Sequence, residues 1–271
     1  MKFSRIFLLS ALAAIGFTAC DNVDEADRFD GPISVEGKKN VLIEDFTGQR
    51  CSNCPLAADK VTELQGLYGH DRIIAVSIHG GGLSVSEETN PNVGLANAQG
   101  NAYNEYWGVE SWPSGLIDRS GGLLDYTSWQ AEVIKRFTQD VKADVNISAL
   151  SYDTDTRTVS FEVETENLDA AAVSGKLQVW LTESDIVRTQ MLPPSLGGGT
   201  DRNYVHKHVF RASVNDSFGD AVTVNAGETL KRTYTYTLKN NWVPENMAVV
   251  AFVYNDTDGV LQVTERALAA E

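Results

Sequence analysis

The sequence has 271 residues, with 22 Lys and Arg against 37 Asp and Glu for a formal net charge of −15. That length admits one large domain or two ordinary ones, and two suit a chain whose residue pattern changes midway. The acidic balance disfavours nucleic acid as a partner, and no phosphate-binding glycine loop, dinucleotide fingerprint or Ser-His-Asp set points to a nucleotide or hydrolase role.

Lys2 and Arg5 precede an apolar run, Ile6 to Gly16, that is too short to span a bilayer and reads as an export signal. Phe17-Thr18-Ala19-Cys20 closes the run and resembles a bacterial lipobox, with Phe17 where leucine is usual. The resemblance implies a lipoprotein signal peptide over residues 1–19 and a diacylated Cys20 that ties the protein to a membrane, each buried methylene contributing about 0.8 kcal/mol. An ordinary signal peptide with an incidental cysteine is the other reading. Loss of Lys2 and Arg5 leaves 20 basic residues against 37 acidic. Asp21, Asp24, Glu25 and Asp27 then lie in a stretch without a hydrophobic cluster, a solvated tether over residues 20–38. Acidic residues there resemble the surface-export signals of Bacteroidetes lipoproteins, and a plain spacer explains them equally well. With Cys20 lipidated, the remaining thiols are Cys51 and Cys54, and a single vicinal pair fits an oxidising compartment.

The first folded domain is expected over residues 39–143. Val41-Leu42-Ile43 with Asp45-Phe46, and Ile73 to Ile78, are short apolar runs suited to central strands. Between them Ala57, Val61, Leu64 and Tyr68 share one helical face that ends near Gly69. Strand, helix, strand makes a βαβ unit with parallel pairing. Gly80-Gly81-Gly82 opens a polar loop, after which Leu95, Ala98, Ala102 and Tyr106 predict a second helix. Gly115 to Asp118 and Leu123-Leu124 read as a hairpin with Gly121-Gly122 as its turn. Thr127 and Gln130 have capping-box spacing before a last helix that carries Trp129, Val133 and Phe137.

From Asp144 to the end, period two dominates. Val145, Ile147 and Ala149, then Val159, Phe161 and Val163, then Leu177, Val179 and Leu181 alternate with polar residues. Further strands are expected over Tyr204 to Val214, Ala221 to Val224, Thr229 to Leu238, Met247 to Tyr254 and Val260 to Thr264, with Pro193-Pro194 and Gly197-Gly198-Gly199 in a long loop. Many short strands without helices predict an all-β, immunoglobulin-like sandwich domain over residues 144–271.

The chemistry centres on Cys51-Ser52-Asn53-Cys54. A strand running into Cys-x-x-Cys at a helix start is the context of a redox pair. Pro55 is tolerated only in a first helical turn, so the helix begins within Cys51 to Pro55. Free N–H groups and Arg50 beside Cys51 favour its thiolate, which makes Cys51 the expected exposed attacking thiol and Cys54 the buried resolving one. The run from Val41 through Asp45-Phe46 to Cys54 resembles the strand and active-site turn of thioredoxin. That resemblance implies an α/β thioredoxin-like domain, with Asp45 as the buried carboxylate that exchanges a proton with the resolving thiol. It also implies that Trp112-Pro113 forms the cis-proline loop that receives a peptide. Ser-Asn between the cysteines and the bulk of Trp112 depart from thioredoxin, so potential and substrate range do not carry over. The lipobox, the Glu44-Asp45-Phe46-Thr47-Gly48 run into the cysteines, the β-rich half and Tyr204 to Arg211 together resemble the twenty-eight-kilodalton outer-membrane lipoprotein family of Bacteroidetes. That family implies outer-membrane location and architecture more than activity.

Two functions of different class follow. One is thiol-disulfide exchange with protein or peptide thiols through Cys51 and Cys54, with Asp45, Trp112 and Pro113 in support and no cofactor. The other is a surface-exposed binding or adhesion lipoprotein in which Cys51-Cys54 is a static disulfide. One cysteine pair supplies too few ligands for a metal. His206 and His208, two apart on an expected strand, share a face open to a metal or carboxylate, although structural hydrogen bonding is the simpler role. His79 ends the second central strand with no visible partner and reads as structural.

Overall fold

The computed structural model describes residues 39–269; the signal segment, Cys20 and the acidic tether lie outside the described residues. Val41–Thr47 (β1) and Ile73–His79 (β2) are buried along almost their whole length and pair in parallel, Val41 opposite Ile73 through Thr47 opposite His79. Cys54–Tyr68 (α1) joins them. Pro55 sits in its first turn, where a missing N–H leaves no helical bond unmade. Ala57, Val61, Leu64 and Tyr68 pack against Val41, Ile43, Ile73 and Ala75 as their spacing predicts. Ser114–Ile117 (β3) runs antiparallel to β1, Ser120–Leu124 (β4) turns back along β3, and Trp129–Phe137 (α3) adds Trp129, Val133 and Phe137 to the α1 core.

Local details differ from expectation for identifiable reasons. The hairpin turn is Asp118-Arg119, with φ of 52° and 54°, and Gly121-Gly122 fall inside β4. Left-handed backbone is unfavourable for such residues, but both side chains here enter buried ion pairs, Asp118 with Lys39 and Arg119 with Glu44, each at 2.9 Å. Thr127 opens no capping box. Asp125 caps the short 3-10 turn Tyr126–Ser128 instead, its Oδ1 accepting from Thr127 N at 2.9 Å. Ala98–Tyr106 (α2) buries Gly100, Tyr103 and Asn104, while Ala98, Ala102 and Tyr106 face outward. Tyr103 sets that rotation: its ring packs among Trp180, Phe210 and Phe218, and its hydroxyl donates to Ser217 O.

Ten strands follow, with only 3-10 turns between them: Ala143–Asp153 (β5), Thr158–Asn167 (β6), Val173–Glu183 (β7), Ile186–Met191 (β8), Thr200–His206 (β9), Val209–Ser213 (β10), Asp220–Val224 (β11), Thr229–Thr237 (β12), Met247–Asn255 (β13) and Gly259–Ala267 (β14). β12, β6 and β5 form one antiparallel sheet. Its inward Val145, Ile147, Val159, Phe161 and Val163 share a core with Leu177, Val179 and Leu181 of β7 and Val249, Ala251 and Val253 of β13. Two sheets packed through alternate residues are a β-sandwich. Ala149 leaves the alternation at φ 48°, in a bulge between Ser148 and Ser151.

The protein is thus mostly β, in several sheets. The largest runs β14-β13-β7-β10-β2-β1-β3-β4, with β11 beside β7, so both halves of the sequence share it. The junction is parallel, Val209 of β10 opposite Ser77 of β2. The one strand expected over residues 204–214 is two. His208 has φ 54° and breaks it, which frees β9 to pair with β8 as a separate hairpin. β8, Ile-Val-Arg-Thr-Gln-Met, carries no clean alternation and is missed by a pattern search.

Candidate functional site

β1 delivers the chain to the cysteine turn. Cys51 N donates to Gly48 O at 3.0 Å, Cys51 and Cys54 form a disulfide, and α1 starts at Cys54. A loop from the end of β2 packs on this turn: Arg50 N donates to Leu83 O at 2.8 Å, and Ser84 Oγ to Thr47 O at 3.0 Å. A Cβ at Gly48 would lie 2.5 Å from Leu83 O, so close approach of the two backbones requires glycine there. Trp112-Pro113 is a cis peptide. The β1–β3 register sets Ser114 opposite Phe46, which places Pro113 near the end of β1 that feeds the cysteines. Trp112 is half-buried, its Nε1 donating to Asn104 Oδ1 at 3.0 Å.

The expectation of an exposed Cys51 is corrected: Cys51 and Cys54 are each only 2% exposed. The β8–β9 hairpin reaches in from the second half. Met191 N donates to Gln49 O at 2.9 Å, and Gln190 Nε2 donates to Cys51 O at 2.8 Å and to Gly48 O at 3.3 Å. An extended segment is therefore hydrogen-bonded to the turn that holds the disulfide. Sequence reasoning missed it because β8 is distant in the chain and weakly patterned.

Asp45 is buried, 1% exposed, with Oδ1 lacking any hydrogen-bond partner. Burial pushes its carboxyl up to about 8. Asp45 and Cys54 line one cavity of about 290 Å³, together with His79, Gln190, Tyr204 and His206. His79 has a partner after all: its ring centroid lies 5.4 Å from that of His206, edge to face. Nε2 of His206 has no hydrogen-bond partner, and the Ser77 backbone serves at most one nitrogen of His79. Burial, with His206 beside it, holds His79 well below the usual imidazole range, and burial takes His206 down to about 4. His206 and His208 line the same cavity, although His208 lies beyond the end of β9, where its left-handed backbone redirects the chain; His208 O accepts from Ser77 N at 2.7 Å in the β2–β10 junction. No spacing in the sequence pairs His79 with His206. Only the placement of His79 at a strand end pointed to it. Among the described residues, no group of three or more His, Cys, Asp or Glu is placed to hold a metal ion.

These features define a mostly β protein whose parallel βαβ unit presents a Cys-x-x-Cys disulfide at a helix start. The chain belongs to the outer membrane protein Omp28 family, whose model matches residues 100–271. The matched span begins after the cysteine pair. This is an outer-membrane lipoprotein family, and among the described residues no helix is long and apolar enough to cross a membrane. HBP35 of Porphyromonas gingivalis is similar in fold, with a TM-score of 0.64 at 18% identity over 86% of this chain and 76% of its own. A domain of the outer membrane lipoprotein Omp28 from Porphyromonas gingivalis is 25% identical over 46% of this chain and 93% of its own, with a TM-score of 0.33. No curated protein matches the sequence.

Proposed function

We propose that this outer-membrane protein is a thiol-disulfide exchange protein, held to the membrane through lipid on Cys20, whose first half is a thioredoxin-like unit. Support for that unit comes from the order β1-α1-β2, then β3-β4-α3, with Cys51-Ser52-Asn53-Cys54 at the start of α1. The observation that carries the redox reading is the buried Asp45 on the same cavity as Cys54. A carboxyl kept protonated near neutral pH by burial is suited to trade a proton with a thiol. In exchange, a partner thiolate attacks Cys51 Sγ, the Cys51–Cys54 bond breaks, and Cys54 leaves with the electron pair and takes a proton from Asp45. A second partner thiol, as thiolate, then attacks its own sulfur in the mixed disulfide and releases Cys51. The partner dithiol is oxidised by two electrons and the protein disulfide reduced. With Cys51 buried, the β8–β9 hairpin must move aside before a protein partner reaches it, and Trp112-Pro113 would line the opened site.

Burial of both sulfurs favours a second reading, a static disulfide in a surface-exposed binding lipoprotein. Trapping separates the two. Exchange runs in both directions, so in the Cys54→Ser protein the Cys51 thiolate attacks a partner disulfide, displaces one partner thiolate and, with no Cys54 to resolve it, stays in a mixed disulfide if exchange occurs. Absence of any Cys51-linked partner in cells of the native host sinks the exchange reading.

A further inference from the structure

The cavity behind Cys54 holds more polar machinery than one carboxyl requires. Asp45 Oδ1 and Nε2 of His206 are buried and without hydrogen-bond partners, and the buried His79 ring has the Ser77 backbone for at most one of its two nitrogens. Such atoms left dry are unfavourable, and together they make a polar space suited to water. A volume of about 290 Å³ has room for several waters, and the partners needed to hold them are present. The cavity is also graded. Asp45, Cys54, His79 and His206 are buried on its wall, while Asp59, Thr62 and Lys207 on the same wall are exposed.

We infer that His79 and His206 are positioning residues of a proton path, which carries the proton of Asp45 through cavity water to the solvent at the Asp59 and Lys207 rim. This rests on the exchange reading for its purpose: Cys54 gains a proton when the disulfide opens, Asp45 supplies it, and Asp45 must then recover one from outside. A neutral imidazole accepts a proton at one ring nitrogen and releases one from the other, so it relays without holding charge. Both rings are suited to that state, since burial disfavours their cations. The groups that face the path are Asp45 from β1, Asp59 from α1, His79 from β2, Tyr204 and His206 from β9, and Lys207 and His208 just beyond it. Arg188 of β8 and Arg211 of β10 add positive charge near the pair and oppose imidazolium further.

The test is a rapid pH jump across about pH 8 on the intact oxidised protein, following the Asp45 carboxylic C=O infrared band, which Asp45→Asn identifies. His79→Gln and His206→Gln should each slow Asp45 deprotonation by roughly a hundredfold, leave its equilibrium pKa within about one unit, and recover speed when free imidazole is added. Deprotonation as fast as in the unaltered protein in both variants overturns the path. In the unaltered chain, ring ¹⁵N shifts of His79 and His206 should inflect where Asp45 titrates; two flat curves there overturn it without any substitution. Neither readout depends on exchange, so a failed Cys54→Ser trap and a failed proton path are separate results.

Discussion

Gln190 of β8 donates from Nε2 to the backbone oxygen of Cys51 at 2.8 Å, tying a strand of the β-rich half to the disulfide of the first half. The same amide reaches Gly48 O, and the neighbouring Met191 N bonds Gln49 O. The hairpin is therefore bonded to the turn that carries the disulfide, and the exchange reading makes its release the step that opens the site. Gln190→Ala removes the side-chain bonds, and the closed form loses about 1–2 kcal/mol. If opening precedes attack, reduction of the disulfide by dithiothreitol should speed up about tenfold. An unchanged rate would show that the hairpin does not gate access.

Asp45 makes stability fall as pH rises. Unfolded, its carboxyl titrates near 3.9; folded, near 8. Between those values the folded state holds the extra proton, so unfolding free energy declines by at most about 1.4 kcal/mol per pH unit. His79, His206 and His208, all depressed by burial, work the other way below their usual value of about 6.5. Glu265, raised by burial to about 7, adds to the lower part of the decline. The effect of Asp45 is thus clearest between about pH 6.5 and 8. Urea unfolding at those two pH values should show a decline in the unaltered protein and a smaller one in Asp45→Asn. Equal declines would place the Asp45 pKa elsewhere.

Glu44 and Arg119 form a bidentate pair at 2.9 Å with both side chains buried. Arg119 also lies 4.3 Å from the Tyr254 ring centroid and 4.8 Å from that of Phe252. Glu44→Gln leaves the guanidinium charge without its counter-ion in that aromatic setting, and should destabilise by about 3–5 kcal/mol. Urea unfolding measures it; a loss below about 1 kcal/mol would mean that water reaches the pair.

Gly48→Ala drives a Cβ to 2.5 Å from Leu83 O and 2.7 Å from Leu83 C, so the loop after β2 must shift off the cysteine turn. A loss of about 1–3 kcal/mol is expected. Gly82→Ala, with nothing within 4 Å of its Cβ, is the control and should stay within about 0.5 kcal/mol. Equal effects of the two would remove the steric argument.

The strands and α1 were legible because their apolar positions repeat at the period of their element: Ala57, Val61, Leu64 and Tyr68 all turn inward. The α2 stripe misled because Trp180, Phe210 and Phe218, all distant in the chain, receive Tyr103 and so set which face is buried, leaving Tyr106 outside with the two alanines. Asp118-Arg119 hid their turn, since left-handed backbone there is sustained by ion pairs with Lys39 and Glu44, far off in the chain. That Cys51 and Cys54 sit at a helix start with Asp45 on the strand before them was readable from local order. The bonding of β8 to the cysteine turn and the His79–His206 contact were not, because they arise only when the β-rich half joins its sheet to β2.

Exchange of Cys51 and Cys54 with partner thiols, as against a static disulfide, is decided by the reduction potential of the pair. Equilibration of the full chain against a thiol buffer of known potential should give a value between about −270 and −120 mV, the range of exchange proteins. A value below about −300 mV, the range of structural disulfides, would contradict exchange.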